Sequence, residues 1–380
     1  MQQQELGFWL RLTLCAGVGN DSARRLLAEF GSAEAIFEQS RATLSQLGSA
    51  KLADTILAVP DKLATQIQVT LDWLAAGEDR CIVTLGDPGY PASLLDIEDP
   101  PLMLYMLGAL AQRAQTAINN AASCLAIVGS RNPTPQGEEN ARQFAKSLAG
   151  SGLCVVSGMA LGIDAAAHDG ALLGGGETIA VVGTGLDRVY PKKNLALAHR
   201  IAERGMLISE FPIGTPPLTA NFPKRNRIIS GLSQAVLVVE AALKSGSLIT
   251  ARLAAEQGKD VLAIPGSIHS PQSRGCHALI KQGAKLIETA ADVLEELKLP
   301  TFHRIDPAST DNRSEAAPGP TGKTHQALLA ALGFDATTLD ALQARTGLPT
   351  PELQSQLLEL ELDGHVARLP GGYFQRLAAA

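Results

Sequence analysis

The chain has 380 residues, 46% of them hydrophobic and 18% charged, with a formal net charge of −6. At roughly 150 residues per domain this length holds two or three domains, and the apolar fraction excludes a largely disordered or fibrous chain. The negative balance excludes a global basic field, so any nucleic-acid binding must come from a local patch.

The first ~75 residues alternate helical patterns with Gly-centred turns. Phe8 to Leu14 reads as a helix. Gly17-Val18-Gly19 turns the chain into an amphipathic helix from about Asp21 to Phe30. Ser32 caps a further helix through Phe37, and a second turn sits at Leu47-Gly48-Ser49. Two helices joined by a hydrophobic-Gly-hydrophobic turn resemble a helix-hairpin-helix, whose backbone N–H groups can face a phosphate. A plain helical bundle fits equally well, since Arg24 and Arg25 are the only positive cluster there.

From Cys81 to about Leu299 strands and helices alternate. Strands are expected at Leu125 to Val128, Cys154 to Val156, Thr178 to Val182, Met206 to Ser209, Ala235 to Val239 and Val261 to Ile264. Helices are expected at Gln136 to Leu148, Asp164 to Leu173, Asn194 to Arg204, Asn226 to Leu232 and Leu248 to Gln257. Apolar strands without alternation, separated by helices, predict a parallel sheet covered on both faces: an α/β, doubly wound, Rossmann-like core. Ligands of such sheets sit beyond the carboxyl ends of the strands. Leu299 to Lys323 is rich in Pro, Ser, Thr and Gly and reads as a linker. Beyond it, helices at His325 to Leu332, Thr338 to Arg345 and Thr350 to Asp363 precede two short strands, His365 to Leu369 and Tyr373 to Leu377. That is the pattern of a winged helix. Its third helix carries Glu352, Glu359 and Glu361 with no Lys or Arg, which opposes duplex binding through it. The resulting units are 1–78, 79–299, the linker 300–323, and 324–380.

Cys15, Cys81, Cys124, Cys154 and Cys276 are odd in number and far apart, with no C-x-x-C pair. They indicate neither a zinc site nor a disulfide framework, and a reducing cytoplasm is the expected compartment. The polar start, Met1 to Glu5, argues against a secretory signal, and no apolar run approaches the ~18 residues of a membrane span.

Several anion-facing turns fall at the expected strand ends. Gly129-Ser130-Arg131 offers a close backbone turn, N–H donors and a bidentate guanidinium. Ser157 and Gly158 line the same crevice, and Gly183 ends the next strand. The segment from Arg188 to Arg227 is locally basic and includes Lys192. Its densest part, Asn221 to Arg227, holds Phe222 as a stacking face with Lys224, Arg225, Asn226 and Arg227 as strand contacts. Arg131 and Arg225 are expected outside the packed layers. Lys244-Ser245-Gly246-Ser247 adds a lysine, hydroxyls and a Gly turn at a helix start, without the order of an ATP-binding loop. Asp164 and His168 share a helical face, as a catalytic pair or as a capping Asp beside a histidine. The spread of turns favours an extended polyanion over a single nucleotide. The alternative is a nucleotide-binding hydrolase of the Rossmann type. No cofactor or metal is expected.

The runs IVGSRNPT, SGMALGIDAAAH, GTGLDRVYPKKN, SEFPIGTPPLTANFPKRNRIISGLS, VVEAALKSGSLITA and AIPGSI, with the earlier GDPGYPASLLDIEDPPLMLYMLG, closely resemble the bacterial DNA-processing protein A family (DprA/Smf). The resemblance covers nearly the whole chain. It implies a SAM-like helical domain, an extended Rossmann core and a winged helix. It also implies a non-enzymatic protein that binds single-stranded DNA, protects incoming strands in natural transformation and loads RecA. A homodimer formed through the core is implied as well. Arg131 and the segment around Lys224, Arg225 and Arg227 are the contacts the resemblance suggests.

Overall fold

The computed structural model describes residues 2–111, 124–299, 320–334 and 336–377. Six helices open the chain: α1 (Gln3–Leu14), α2 (Asn20–Phe30), α3 (Ala33–Phe37), α4 (Arg41–Leu47), α5 (Ala50–Leu57) and α6 (Leu63–Ala75). Helix α1 starts five residues before the expected Phe8, because Leu6 extends the buried face of Trp9 and Leu10. Ser32, Ser40 and Ser49 each accept the backbone N–H three residues on, which caps α3, α4 and α5. Arg24 points into the molecule, with Nη1 donating to Asp99 at 2.7 Å.

The core sheet has nine strands: β1 (Arg80–Thr84), β2 (Met103–Leu107), β3 (Cys124–Val128), β4 (Cys154–Ser157), β5 (Thr178–Val181), β6 (Met206–Ser209), β7 (Ala235–Val238), β8 (Asp260–Ala263) and β9 (Lys285–Leu286). Their order is β1-β2-β6-β5-β4-β3-β7-β8-β9. From β6 to β9 all neighbours are parallel, but β1 pairs β2 and β2 pairs β6 antiparallel. The wholly parallel sheet expected from the sequence is therefore corrected at this edge. The β1–β2 connection holds only a 3-10 turn, Ala92–Leu94, so no crossover helix returns the chain in parallel.

Helices α7 (Pro135–Gly150), α8 (Ile163–Leu173), α9 (Leu195–Arg204), α10 (Asn221–Gly231), α11 (Ser247–Glu256), α12 (Arg274–Lys281) and α13 (Ala290–Glu296) cover the sheet. One face buries Val128, Val156, Val181 and Val236 against Ile228 and Ile229 of α10 and Ala251 of α11. The other buries Leu125, Ile127, Val155 and Leu237 against Phe144 of α7 and Ala167 of α8. Beyond β5 this second face continues into the helical region, where Tyr105, Ala180 and Leu207 share one cluster with Leu10, Ile36 and Trp73.

The last unit comprises α14 (Pro320–Leu332), β10 (Thr337–Thr338), α15 (Leu339–Thr346), α16 (Thr350–Leu362), β11 (Val366–Leu369) and β12 (Tyr373–Arg376), with strand order β10-β12-β11. It is a winged helix with its own core of Leu328, Leu342, Leu353, Leu357 and Phe374. The short strand β10 was not legible in the sequence. Residues 300–319 of the expected linker lie outside the described residues; α14 takes up its last four.

Candidate functional site

Strand order reverses at β3. The chain runs outward through β4, β5 and β6 on one side, then crosses to β7 on the other. Loops leaving the carboxyl ends of β3 and β7 diverge there, the usual ligand position in such sheets. A cavity of about 600 Å³ opens at this point. Its wall is drawn from the β3 turn, the start of α8, one face of α10 and the loop into α11.

Glu240 ties the rim together. Its carbonyl accepts the Ser130 N–H at 2.7 Å, and its carboxylate accepts Thr134 N at 2.9 Å and Thr134 Oγ1 at 2.6 Å. Burial pushes the Glu240 carboxyl up, and the Thr134 donors oppose that shift. Thr134 in turn caps α7 through Gly137 N at 3.0 Å. The close approach requires Gly129, because a Cβ there would lie 2.9 Å from the Glu240 carbonyl oxygen and 2.6 Å from Ile163. One expectation is corrected here. Ser130 N–H is spent on Glu240, and Asn132 N–H on Ser130 Oγ at 3.2 Å, so these two backbone donors do not face the cavity. The exposed Arg131 side chain lines it instead.

Helix α10 starts at Asn221, five residues before the expected Asn226. Helical spacing then sorts the basic cluster. Phe222, Arg225, Asn226 and Ile229 fall at i, i+3, i+4 and i+7 and line the cavity. Lys224 is exposed outside it. Arg227 is corrected as a strand contact: it donates to Glu210 at 2.6 and 2.7 Å and to Asp99 at 3.0 Å. Arg225 is corrected as a side chain outside the packed layers. It is 5% exposed, and Nη1 donates to the Val181 carbonyl. Burial depresses its basicity to about 10, with the neighbouring Asp164 opposing and Arg131 adding to the shift. Gly158 makes room for that guanidinium, since a Cβ there would strike it. The Gly158 N–H itself donates to Asp164 at 3.2 Å, as does Ala160 N–H at 3.3 Å.

Arg131 and Phe222 meet above this floor, with the guanidinium carbon 5.9 Å from the ring centroid. Tyr190, 47% exposed, lies 5.6 Å from Phe222, tilted by 35°. The two rings and the arginine form a stacking platform on the rim. Gly183 seats it, because a Cβ would be 3.1 Å from the Phe222 ring; it is buried behind the ring and lies outside the cavity lining. Across the cavity Lys244, Ser245, Gly246 and Ser247 lead into the N-terminus of α11. Ser245 and Ser247 hydroxyls pair at 2.7 Å. Arg131, Arg225 and Lys244 thus face one carboxylate, Asp164, with Glu240 already engaged. The cavity is net positive and has an aromatic edge.

One further expectation fails on placement. Ser157 is fully buried, donating to the Ile127 carbonyl at 2.6 Å, and does not line the crevice. Lys192 is exposed on the 3-10 turn Lys192–Asn194, outside the cavity lining. Asp164 and His168 do not form a reacting pair. His168 is fully buried, with Nδ1 2.7 Å from Thr178 Oγ1, and burial lowers its pKa to about 3. The lining residues Tyr190, Thr219 and Gln272 were missed. Tyr190 stood inside the quoted run GTGLDRVYPKKN as one of only four tyrosines; Gln272 carries no sequence signal. Among the described residues no helix is long and apolar enough to cross a membrane.

The profile of the DNA recombination-mediator protein A family matches residues 81–298, and that of the DprA winged helix domain matches 312–372. Protein Smf of Escherichia coli is 41% identical over 96% of this chain and 94% of its own. DNA processing protein DprA of Streptococcus pneumoniae is 46% identical over 56% of this chain and 72% of its own. The X-ray structure of that pneumococcal protein aligns with TM-score 0.64 and 35% identity, covering 78% of this chain and 98% of the other. DNA processing protein A from Helicobacter pylori, whose structure is described as showing a single-stranded DNA binding mode, aligns with TM-score 0.51 and 32% identity over 57% and 95%.

Proposed function

Because this chain belongs to the DNA-processing protein A (DprA/Smf) family, we propose that it binds single-stranded DNA in the cleft between β3 and β7 and passes the strand to RecA during transformation. The observation that supports this most is the pairing of a net positive cavity with the Tyr190–Phe222 platform. Phosphates are held by Arg131 and Lys244, with the buried Arg225 guanidinium supplying field from below. Bases stack on the exposed Tyr190 ring and the half-buried Phe222 ring beside it, which every base can do irrespective of sequence. A duplex keeps its base faces covered and cannot use this platform. The α16 helix of the winged unit carries Glu352, Glu359 and Glu361, which repel phosphates. The working units are the helical segment 1–78, the core 79–299 and the winged helix 324–380. The protein acts as a cytoplasmic homodimer paired through the core.

Fluorescence anisotropy with labelled oligonucleotides across a salt series tests the reading. Single strands should bind far more tightly than duplexes of equal length, with affinity falling steeply as salt rises. Mononucleotides should bind weakly. Equal affinity for duplex and single strand at one salt concentration refutes the proposal. RecA delivery and pairing are tested separately, by RecA filament formation with and without the protein and by sedimentation.

A further inference from the structure

The five cysteines look unrelated along the chain, yet the sheet pairs two of them. Cys124 and Cys154 open β3 and β4, and the parallel register sets them directly opposite each other. Residues in register project to the same face of a sheet, and both pack against the cluster on the α10 face. Adjacent strands lie about 4.8 Å apart, inside the roughly 4.4–6.8 Å window of Cα separations that a disulfide spans. The two thiols therefore sit side by side on one face of the sheet.

Their surroundings make them unequal. Cys124 is 8% exposed, and Cys154 is half-buried. The adjacent Cys154 thiol holds the Cys124 thiol below its usual range, helped by the nearby Lys259 ammonium and opposed by burial and Glu177. The neighbouring Cys124 and burial push Cys154 up. Lys259 is fixed by donating to the Ser230 and Gly231 carbonyls at 2.7 and 2.6 Å. By contrast Cys15, Cys81 and Cys276 rest against the backbone carbonyls of Thr55, Ala111 and Val238, and burial raises all three. Thiolate character decides which cysteine attacks an oxidant, and a neighbouring thiol decides whether the product closes to a disulfide.

We propose that Cys124 and Cys154 form an oxidation site at the amino ends of β3 and β4, in which Cys124 reacts with a hydroperoxide and Cys154 resolves the product. The Cys124 sulfur attacks the peroxide and breaks the O–O bond. With hydrogen peroxide this yields a sulfenic acid and one water. The Cys154 sulfur then displaces the sulfenic oxygen, which leaves as a second water, and the S–S bond forms. Two thiols are oxidised and one peroxide is reduced to two waters, so no other reagent is needed. A dithiol restores the pair by exchange. The site lies at the end of β3 opposite the Gly129-Ser130-Arg131 turn and does not depend on the cleft's ligand.

The test uses the full chain treated with graded hydrogen peroxide, then denatured, alkylated and mapped by mass spectrometry. The expected result is loss of two of the five alkylatable thiols, one linked pair of peptides carrying Cys124 and Cys154, and full recovery with dithiothreitol. Cys154→Ser should stop at a Cys124 sulfenic acid trapped by a 1,3-dicarbonyl reagent, formed at least tenfold faster than any adduct on Cys15, Cys81 or Cys276. Circular dichroism checks that this variant is folded, and the wild-type mapping stands without it. Retention of all five thiols at peroxide levels that oxidise glutathione overturns the proposal. So does thiol loss spread evenly over the five, or a linkage between any other pair.

Discussion

Replacing Arg131 by Ala separates binding from stability more cleanly than any other change in the cleft. The side chain is exposed, and no hydrogen bond or ion pair within the described residues holds it. Its tie to the fold is the contact over Phe222, 5.9 Å from the ring centroid. An exposed cation–π contact is worth about 0.5–1 kcal/mol, so the unfolding free energy should change by less than about 1 kcal/mol. An arginine on phosphate makes charge-assisted hydrogen bonds worth about 1–3 kcal/mol, which weakens single-strand binding by roughly 5- to 150-fold. Losing one phosphate contact should flatten the log–log salt dependence by about 0.7. Arg225→Ala behaves differently, because that guanidinium is 5% exposed and stands beside the buried Asp164. Its removal leaves the buried Val181 carbonyl without that donor and takes away a positive charge that favours the Asp164 carboxylate, and should cost about 1–3 kcal/mol of stability. The assay is anisotropy with a short oligonucleotide at several salt concentrations, alongside urea denaturation. Wild-type affinity and salt slope in Arg131→Ala would show that the strand runs elsewhere. Weak binding accompanied by a large loss of stability would make Arg131 structural.

His168 should give the fold an acid-sensitive element. Its folded pKa of about 3 lies below the unfolded 6.5, so its contribution is complete above 6.5 and drains away as pH falls toward 3. At pH 5 the loss is about 1.5 pKa units, or about 2 kcal/mol. Urea midpoints for wild type and His168→Gln at pH 7.5 and 5 should therefore diverge in slope, and parallel slopes contradict the assignment. Asp99 joins two helices: Arg24 at 2.7 Å and Asn20 at 3.2 Å from α2, and Arg227 at 3.0 Å from α10. Asp99→Ala should destabilise by about 1–3 kcal/mol, between exposed and buried pairs, and an unchanged urea midpoint would show the network idle. The Asp99 carboxyl is held below its ordinary value despite burial, because Arg24, Arg227 and Asn20 outweigh the desolvation. That part of the stability is present above the unfolded pKa and lost as pH falls below it. Truncation after Leu299 should leave single-strand affinity within roughly tenfold, since the winged unit has its own core and an acidic α16. A larger drop in a gel shift, beyond ~1.4 kcal/mol, would move the site there.

The elements of the core were legible because their signals are local. Short apolar strands ending in Gly or Glu, helices of fixed period and serine caps each depend on neighbours within a few residues. The Gly129-Ser130-Arg131 and Lys244-Ser245-Gly246-Ser247 turns were legible as parts of one site for the same reason, since strand ends in a parallel sheet converge by topology. What the sequence could not decide was which partner each charge meets. Lys224, Arg225 and Arg227 read alike along the chain. A helix beginning at Asn221 aims one at solvent, buries one beside Asp164 and turns one to Glu210 and Asp99, 17 and 128 residues away. The antiparallel edge at β1 and β2 was hidden because strand direction depends on the path of the connection, not on strand composition. The pairing of Cys124 with Cys154 was hidden for a related reason. Register is set by how two strands dock along their whole length, and a chain reading sees only that thirty residues separate them.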